Sequence, residues 1–394
     1  MIFNEFTYYF ILFLTLLFYY IVPNGYRWLV LTLFGLIFYY VYGGNPVFLF
    51  IIESFLVYIF IKDTRNKFYF FLILLIPLSL LFYFKYKSMF FAAFGLSKAI
   101  NNPANYIIPL GISFFTFEFV HCIVDRKKGR IENLNPKDYA AFIMFFPTMV
   151  SGPIKRYQQF NHQFSSSFSF ENMYIGLARI TKGLAKKIIL ADNFSLIADR
   201  LTAADFSSHW VHYPKELWIG IIAYSFKIYY DFSGYSDIAI GSAKLFGINV
   251  PENFNSPYLK TNIGLFWKNW HISLYKWLVD YIFIPLGGSK VILLFILLNT
   301  CFVMMISGLW HGAQWHFVAW GLYNGILLVL YRLYRYFIVE KYSLMQRAWY
   351  NSLPVKAVSI LITFILVSLG WVLFVCDFDR AAAVYKAIFL IKGA

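Results

Sequence analysis

The stretch VILLFILLNTCFVMMISGLWHGAQWH, residues 291–316, decides the fold. Its first part, Val291–Ser307, holds no charged side chain. With its flanks it supplies the roughly 20 residues that a helix needs to cross a bilayer. Runs of the same kind lie on both sides. Upstream are a first run from Phe6 and those at Tyr26–Tyr42, Val47–Ile61 and Phe68–Phe84. Leu217–Tyr230, Ser236–Phe246 and Gly264–Leu286 follow in the middle, with Phe317–Tyr336 and Val355–Val375 downstream. Pro23-Asn24-Gly25 and Gly43-Gly44-Asn45-Pro46 punctuate the early runs, as turn residues do. Ala140–Val150 is too short to span and runs into Ser151-Gly152-Pro153, so it reads as a re-entrant segment. The expected fold is an all-α polytopic membrane protein with about ten or eleven transmembrane or re-entrant helices.

Composition agrees. Of 394 residues, 60% are hydrophobic and 13% charged, about half the charge that a water-soluble domain needs to cover its surface. Disorder, a collagen-like fibre and a small disulfide scaffold are excluded by the same figures. Thirty-four basic against 19 acidic residues leave +15. The cations sit in short groups between apolar runs, at Lys62–Lys67 and Arg126–Arg130, the pattern of cytoplasmic loops facing anionic lipid and not of a nucleic-acid binder. With those loops inside, the N-terminus falls outside, and Lys85, Lys87 and Lys98 fall on the outer side. An interfacial helix around Met89–Ile100 would accommodate them. Gly176–Leu190 carries Arg179, Lys182, Lys186 and Lys187 among apolar residues and reads as a helix on the cytoplasmic surface. Tyr157–Phe170 reads as a polar loop. The first run lacks a basic start and a cleavage site, so it reads as a retained helix. Cys122, Cys301 and Cys376 stand singly in apolar sequence, with neither disulfide nor metal-site spacing. No internal repeat is visible, which counts against an inverted-repeat transporter.

Polar residues at membrane depth are costly and so mark function. Trp310-His311-Gly312 is the first such place: an uncharged imidazole can accept a proton from a hydroxyl, with Gly308 and Gly312 leaving room for a substrate. A helix-end histidine satisfied by a backbone carbonyl is the plainer alternative. The second is Phe266-Trp267-Lys268-Asn269-Trp270-His271-Ile272-Ser273-Leu274. On one helix, Trp267, His271 and Leu274 share a face, with Lys268 toward the headgroups; an aromatic belt would look similar. The third is Tyr230-Asp231-Phe232-Ser233-Gly234-Tyr235-Ser236-Asp237, whose carboxylates could orient a histidine, line a tunnel or bind a cation, or else lie in an interfacial loop. His209 and His212 have metal spacing but sit in a polar loop, and His121 and His162 lack context. No metal site is expected.

Asp231–Asp237, Pro251-Glu252-Asn253-Phe254-Asn255, Phe266–Leu274, Asp280-Tyr281, Ile284–Gly288 and Gly308–Ala313 together resemble the membrane-bound O-acyltransferase (MBOAT) family. The likeness is strongest to the bacterial subunits that acetylate alginate, peptidoglycan and other exopolysaccharides. Pro109–Phe117, Phe146-Pro147, Ser151–Ile154 and Gly183–Lys187 fit as well, and the likeness runs from about Pro109 to Asn324. The resemblance implies a single membrane domain over 1–394, with N-terminal helices at 1–106, a catalytic core at 107–325 and C-terminal helices at 326–394. It implies a central pore pinched near an essential histidine, which maps onto His311, with the family's second histidine on His271. Trp310, Asp231, Ser233, Tyr235, Asp237 and Trp270 would line the substrate tunnel.

The resemblance further implies acetyl-CoA as a cytoplasmic donor with no bound cofactor, a polysaccharide acceptor outside, and a separate extracytoplasmic acyltransferase to finish the transfer. The setting would be the bacterial cytoplasmic membrane. Alginate-type members commonly extend further at the C-terminus. Phe146-Pro147-Thr148 and Ser151–Ile154 are also similar to the D-alanyl transfer protein of teichoic acid modification, whose donor is a D-alanyl carrier protein. From the polar residues alone, an ion- or proton-coupled transporter is the competing class.

Overall fold

The computed structural model describes residues 2–64, 66–96, 108–161, 163–165, 167–203 and 213–389. His162, His209, His212 and Lys98 lie outside the described residues. Helices account for the regular structure, and among the described residues the only β pairing is an isolated antiparallel bridge, Phe254 to Trp270. Among the described residues five helices are long and apolar enough to cross a membrane: Asn24–Gly43, Lys67–Ala93, Leu293–His311, Trp315–Glu340 and Leu353–Val375. Their outward faces are hydrocarbon. Leu353, Val358, Leu361 and Ile362 are all more than half exposed, which water would not tolerate in a contiguous patch but lipid does. The chain is an all-helical, multi-pass membrane protein.

Contacts divide it into two compact units, Met1–Ala185 with Gly234–Glu252, and Lys186–Ser233 with Asn253–Ala394. The first unit contains α1 (Phe6–Ile21), α2 (Arg27–Gly43), α3 (Pro46–Phe60), α4 (Lys67–Leu81), α5 (Lys87–Ala93), α6 (Ile112–Lys127), α7 (Pro136–Ile143), α8 (Tyr157–Phe160) and α9 (Phe170–Leu184). Its core is aromatic, built on Tyr8, Tyr19, Phe38, Phe119, Phe142 and Phe146. Tyrosine hydroxyls in that core still need acceptors: Tyr8 donates to Ser242 Oγ at 2.9 Å and Tyr20 to the Leu245 carbonyl at 2.7 Å. Lys85, within the Lys67–Ala93 span, donates to Ser113 Oγ at 3.0 Å. His121 gains the context its sequence lacked. Its Nε2 accepts the Tyr157 N–H at 2.9 Å while Nδ1 faces Asp125 at 3.2 Å, so it ties α6 to α8. Tyr157 and Phe160 are buried in that tie, which corrects the reading of Tyr157–Phe170 as a loop throughout. Ala140–Val150 ends α7 and continues into a short 3-10 turn, Phe146–Thr148, and Ala141 to Met149 are all buried.

The second unit contains α10 (Asp192–Ala198), the first part of α11 (Pro214–Leu245), α12 (Ile263–Asn269), α13 (Ile272–Leu278), α14 (Leu293–His311), α15 (Trp315–Tyr334), α16 (Leu353–Val375) and α17 (Phe378–Ile388). Two sequence readings change here. Leu217–Tyr230 and Ser236–Phe246 are not separate segments but one 32-residue helix, α11, so Asp231–Asp237 is helical and not an interfacial loop. Gly264–Leu286 is not one helix: it breaks at Trp270–His271 into two of seven residues. The tightest packing joins α14 to α15. A Cβ on Gly308 would stand 2.0 Å from the Phe317 carbonyl oxygen, and one on Gly321 2.2 Å from that of Met304. Small residues let membrane helices approach to backbone contact, and this contact fixes the end of α14, where His311 sits.

Candidate active site

His271 is held by its backbone before its ring does anything. The Asn262 side chain caps α12 by accepting from Leu265 N at 2.8 Å. The helix ends at Trp270, which is extended, and His271 then adopts φ 45°, ψ 56°. No α-helix runs through that left-handed conformation, which costs a non-glycine residue about 1–2 kcal/mol. A second strand of chain, Asn253–Asn255, compensates on both sides of the turn. Asn255 N donates to the Asn269 carbonyl at 3.1 Å and Ile272 N to the Asn253 carbonyl at 2.9 Å. The Asn253 amide oxygen also accepts from Ser273 Oγ at 2.6 Å and from Ser273 N at 3.3 Å. Trp267, His271 and Leu274 are all buried and Lys268 exposed. The inward face expected from a single helix is therefore produced by a broken one.

The His271 ring is enclosed, its residue only 3% exposed. Phe232 meets it edge-on at 4.6 Å between centroids and Trp310 at 5.8 Å. Among the described residues neither ring nitrogen has a hydrogen-bond partner. The residue lies outside the five spanning helices, and burial pushes its pKa down to about 3. It is a neutral imidazole with one N–H to give and one lone pair to offer.

His311 closes α14. Its ring lies against Trp310 (4.6 Å), Phe374 (4.9 Å) and Trp320 (5.3 Å). Trp310 therefore contacts both histidines, and the second unit brings His271, Trp310 and His311 into one cluster. The glycines beside it do not leave space for a substrate, as the sequence suggested. The volume at Gly308 is taken by the Phe317 carbonyl and that at Gly312 by the Phe317 ring. His316, one turn into the hairpin, contacts the Leu373 carbonyl at 2.9 Å and Gln314 at 2.8 Å, a tie between α15 and α16.

The acidic residues are already engaged. Six positions apart on α11, Asp231 and Asp237 are about 120° apart around the axis, so they cannot converge. Asp231 pairs with Lys187 Nζ at 2.7 Å, which also holds Asp192 at 2.7 Å. Asp237 and Tyr235 belong to the first unit, where Arg179 Nε donates to Asp237 at 2.9 Å and the rest of its guanidinium grips Glu252. Ser233 is 2% exposed with an unpartnered hydroxyl. Trp270 packs in the aromatic core against Trp371, Phe254 and Phe266. Sequence reasoning missed Asn253 and Lys187 as organisers of this region. Among the described residues no group of three or more His, Cys, Asp or Glu is arranged to hold a metal.

The family model for MBOAT, the membrane-bound O-acyltransferase family, matches residues 109–375. Peptidoglycan O-acetyltransferase of Helicobacter pylori is 36% identical over 81% of this chain and 63% of its own length. Probable alginate O-acetylase AlgI of Azotobacter vinelandii is 34% identical over 80% of this chain and 61% of its own. Teichoic acid D-alanyltransferase of Streptococcus thermophilus is 31% identical, covering 71% of each chain. The chain thus spans about three fifths of the length of the two acetylating relatives. With a family match that takes in both histidines and every helix of the cluster around them, the chain belongs to the membrane-bound O-acyltransferase family.

Proposed function

We propose that this protein is a membrane O-acyltransferase that passes an acetyl group from cytoplasmic acetyl-CoA toward hydroxyls of a cell-envelope polysaccharide. The observation that carries the reading is the His271–Trp310–His311 cluster, with a buried neutral imidazole whose nitrogens are unmet. In the proposed step His311 takes the proton of the attacking hydroxyl as its oxygen adds to the thioester carbonyl. The carbonyl oxygen becomes an oxyanion, and His271 donates its one N–H there, where a preoriented donor stabilises charge most effectively. Collapse expels the thiolate, which recovers the proton from His311 and leaves as free thiol. Aromatic walls on both imidazoles keep water from competing for the thioester.

In this reading the donor is met on the cytoplasmic side of a bacterial cytoplasmic membrane, which is supported by the basic loops, since these mark the cytoplasmic face and would attract a phosphorylated donor. A separate extracytoplasmic acyltransferase would complete delivery to the polymer. The transporter reading is weakened, because its two carboxylates are paired with Lys187 and Arg179. Transfer of D-alanyl from a carrier protein to teichoic acid is the second reading, favoured by the Streptococcus thermophilus relative.

The deciding experiment offers labelled acetyl-CoA and labelled D-alanyl carrier protein separately to the purified protein, with His311→Ala beside it. Acetyl thioester loss that depends on His311 is the expected result. Loss from the carrier protein alone selects the second reading. Ion flux without thioester consumption under either donor would overturn both.

A further inference from the structure

Apart from the histidine cluster, the second unit contains a cavity of about 660 Å³ between α12, α13, α14 and α15. That is within the usual range for a small-ligand site. Its lining changes character along its length. From Leu293 through Ile296 to Met304 the wall on α14 is apolar except for Thr300, whose hydroxyl is turned back to the Ile296 carbonyl at 2.7 Å, and it is faced by Leu278 and Leu328. Those 11 steps along a helix cover about 16 Å, roughly half of the about 30 Å hydrocarbon thickness of a bilayer. The same cavity is also lined by Lys268 and, on the part of the helix beyond Leu328, by Arg332, Arg335 and Glu340. Arg335 is paired with Glu340 at 2.9 Å. Lys268 and Arg332 make no ion pair among the described residues. Neither His271 nor His311 lines the cavity.

The charge of the surrounding chain says which leaflet these cations face. α14 and α15 form a hairpin, so the start of one and the end of the other lie on the same side. The adjoining segments carry Lys290, Lys341 and Arg347, and an excess of Lys and Arg marks the cytoplasmic side. We infer that this cavity binds an anionic phospholipid of the inner leaflet, its phosphate against Lys268 and Arg332 and one acyl chain along α14. Depth, apolar wall and cationic mouth match a single leaflet's lipid in length and charge. The site goes beyond the acyl-transfer reading and does not depend on it.

The test is native mass spectrometry of the full chain in detergent, with phosphatidylglycerol or phosphatidylcholine of the same acyl chains added. Phosphatidylglycerol should be retained preferentially. In Lys268→Gln/Arg332→Gln that preference should fall about 25-fold, each cation near a headgroup contributing about five-fold. Lys341→Gln/Arg347→Gln should keep it. Should the cation variant fail to fold, Ile296→Trp fills the apolar wall with the cations intact and should exclude the lipid. Equal retention of the two lipids, an unchanged preference in both site variants, or displacement of the lipid by free coenzyme A would overturn the assignment. The last outcome would give the phosphate site to a soluble donor.

Discussion

Glycine should hold the fold better than alanine at position 271, the reverse of their order in a helix. Both His271→Gly and His271→Ala remove the imidazole, so both lose its contacts with Phe232 and Trp310 to the same extent. What differs is the backbone. At φ 45° alanine keeps the left-handed penalty of about 1–2 kcal/mol, which glycine does not feel. Glycine in turn loses about 0.5–1 kcal/mol more chain entropy on folding. The balance favours glycine by up to about 1.5 kcal/mol, whereas a helical site would place glycine about 1 kcal/mol below alanine. Lys276, exposed in the middle of α13, supplies the control, and there Lys276→Ala should exceed Lys276→Gly. Thermal unfolding of the four purified variants in one detergent resolves this, since 1 kcal/mol corresponds to about 2 °C in a large domain. Neither variant at 271 should turn over substrate, so their order reports conformation alone. If His271→Ala melts at or above His271→Gly, the turn is not strained and the account of the Asn253 clamp fails with it.

Three further outcomes follow from the same geometry. Asn253→Ala removes the acceptor for both Ser273 groups in a fully buried setting. It should lower stability by about 1–3 kcal/mol and slow turnover, both read on the detergent-solubilised enzyme; wild-type values for both would free His271 from this clamp. Gly308→Ala puts a methyl 2.0 Å from the Phe317 carbonyl, so α14 and α15 must part. A loss of about 1–3 kcal/mol together with lost activity is expected, and an unchanged melting midpoint would show that the hairpin is looser than described. Burial holds the native His271 pKa near 3 against about 6.5 in an unfolded chain. Between those values the unfolded state binds the extra proton, so stability rises with pH through that window and levels off above it. Melting midpoints from pH 4 to 8 should show that rise, and His271→Gln should flatten it.

The spanning helices were legible because hydrocarbon imposes a simple rule: Tyr26–Tyr42, Val291–Ser307 and Val355–Val375 overlap the helices Arg27–Gly43, Leu293–His311 and Leu353–Val375. Legibility failed where a tertiary partner overrides the local pattern. Nothing in Phe266–Leu274 announces a break, since the left-handed residue is a histidine and not a glycine. The bonds that enforce it come from Asn253–Asn255, some 18 residues upstream. Likewise Asp231–Asp237, rich in Ser and Gly, imitates a loop. The chain stays helical there because Lys187 and Arg179 neutralise the carboxylates, and their positions depend on folds of chain that spacing cannot forecast. Gly308 and Gly312 were read as room for a ligand; glycine spacing alone does not tell a ligand from a neighbouring helix.

The same contrast separates structural from chemical polar groups in the second unit. Asn253 and Ser273 are buried and satisfied by each other. His271 and Ser233 are equally deep and, among the described residues, their side-chain polar atoms have no hydrogen-bond partner. An unmet buried polar atom costs about 1–3 kcal/mol, and His271 adds the cost of its backbone turn. Mutation would remove both costs readily if the position served only packing, because a leucine or glycine would fill it more stably. Such a cost is offset when a bound group supplies the missing partner, and a thioester carbonyl that gains negative charge as it reacts accepts more strongly in the transition state than in the ground state. On that argument the unmet nitrogens of His271 support the role proposed for it as donor to the acyl carbonyl, with His311, across Trp310, as the proposed base.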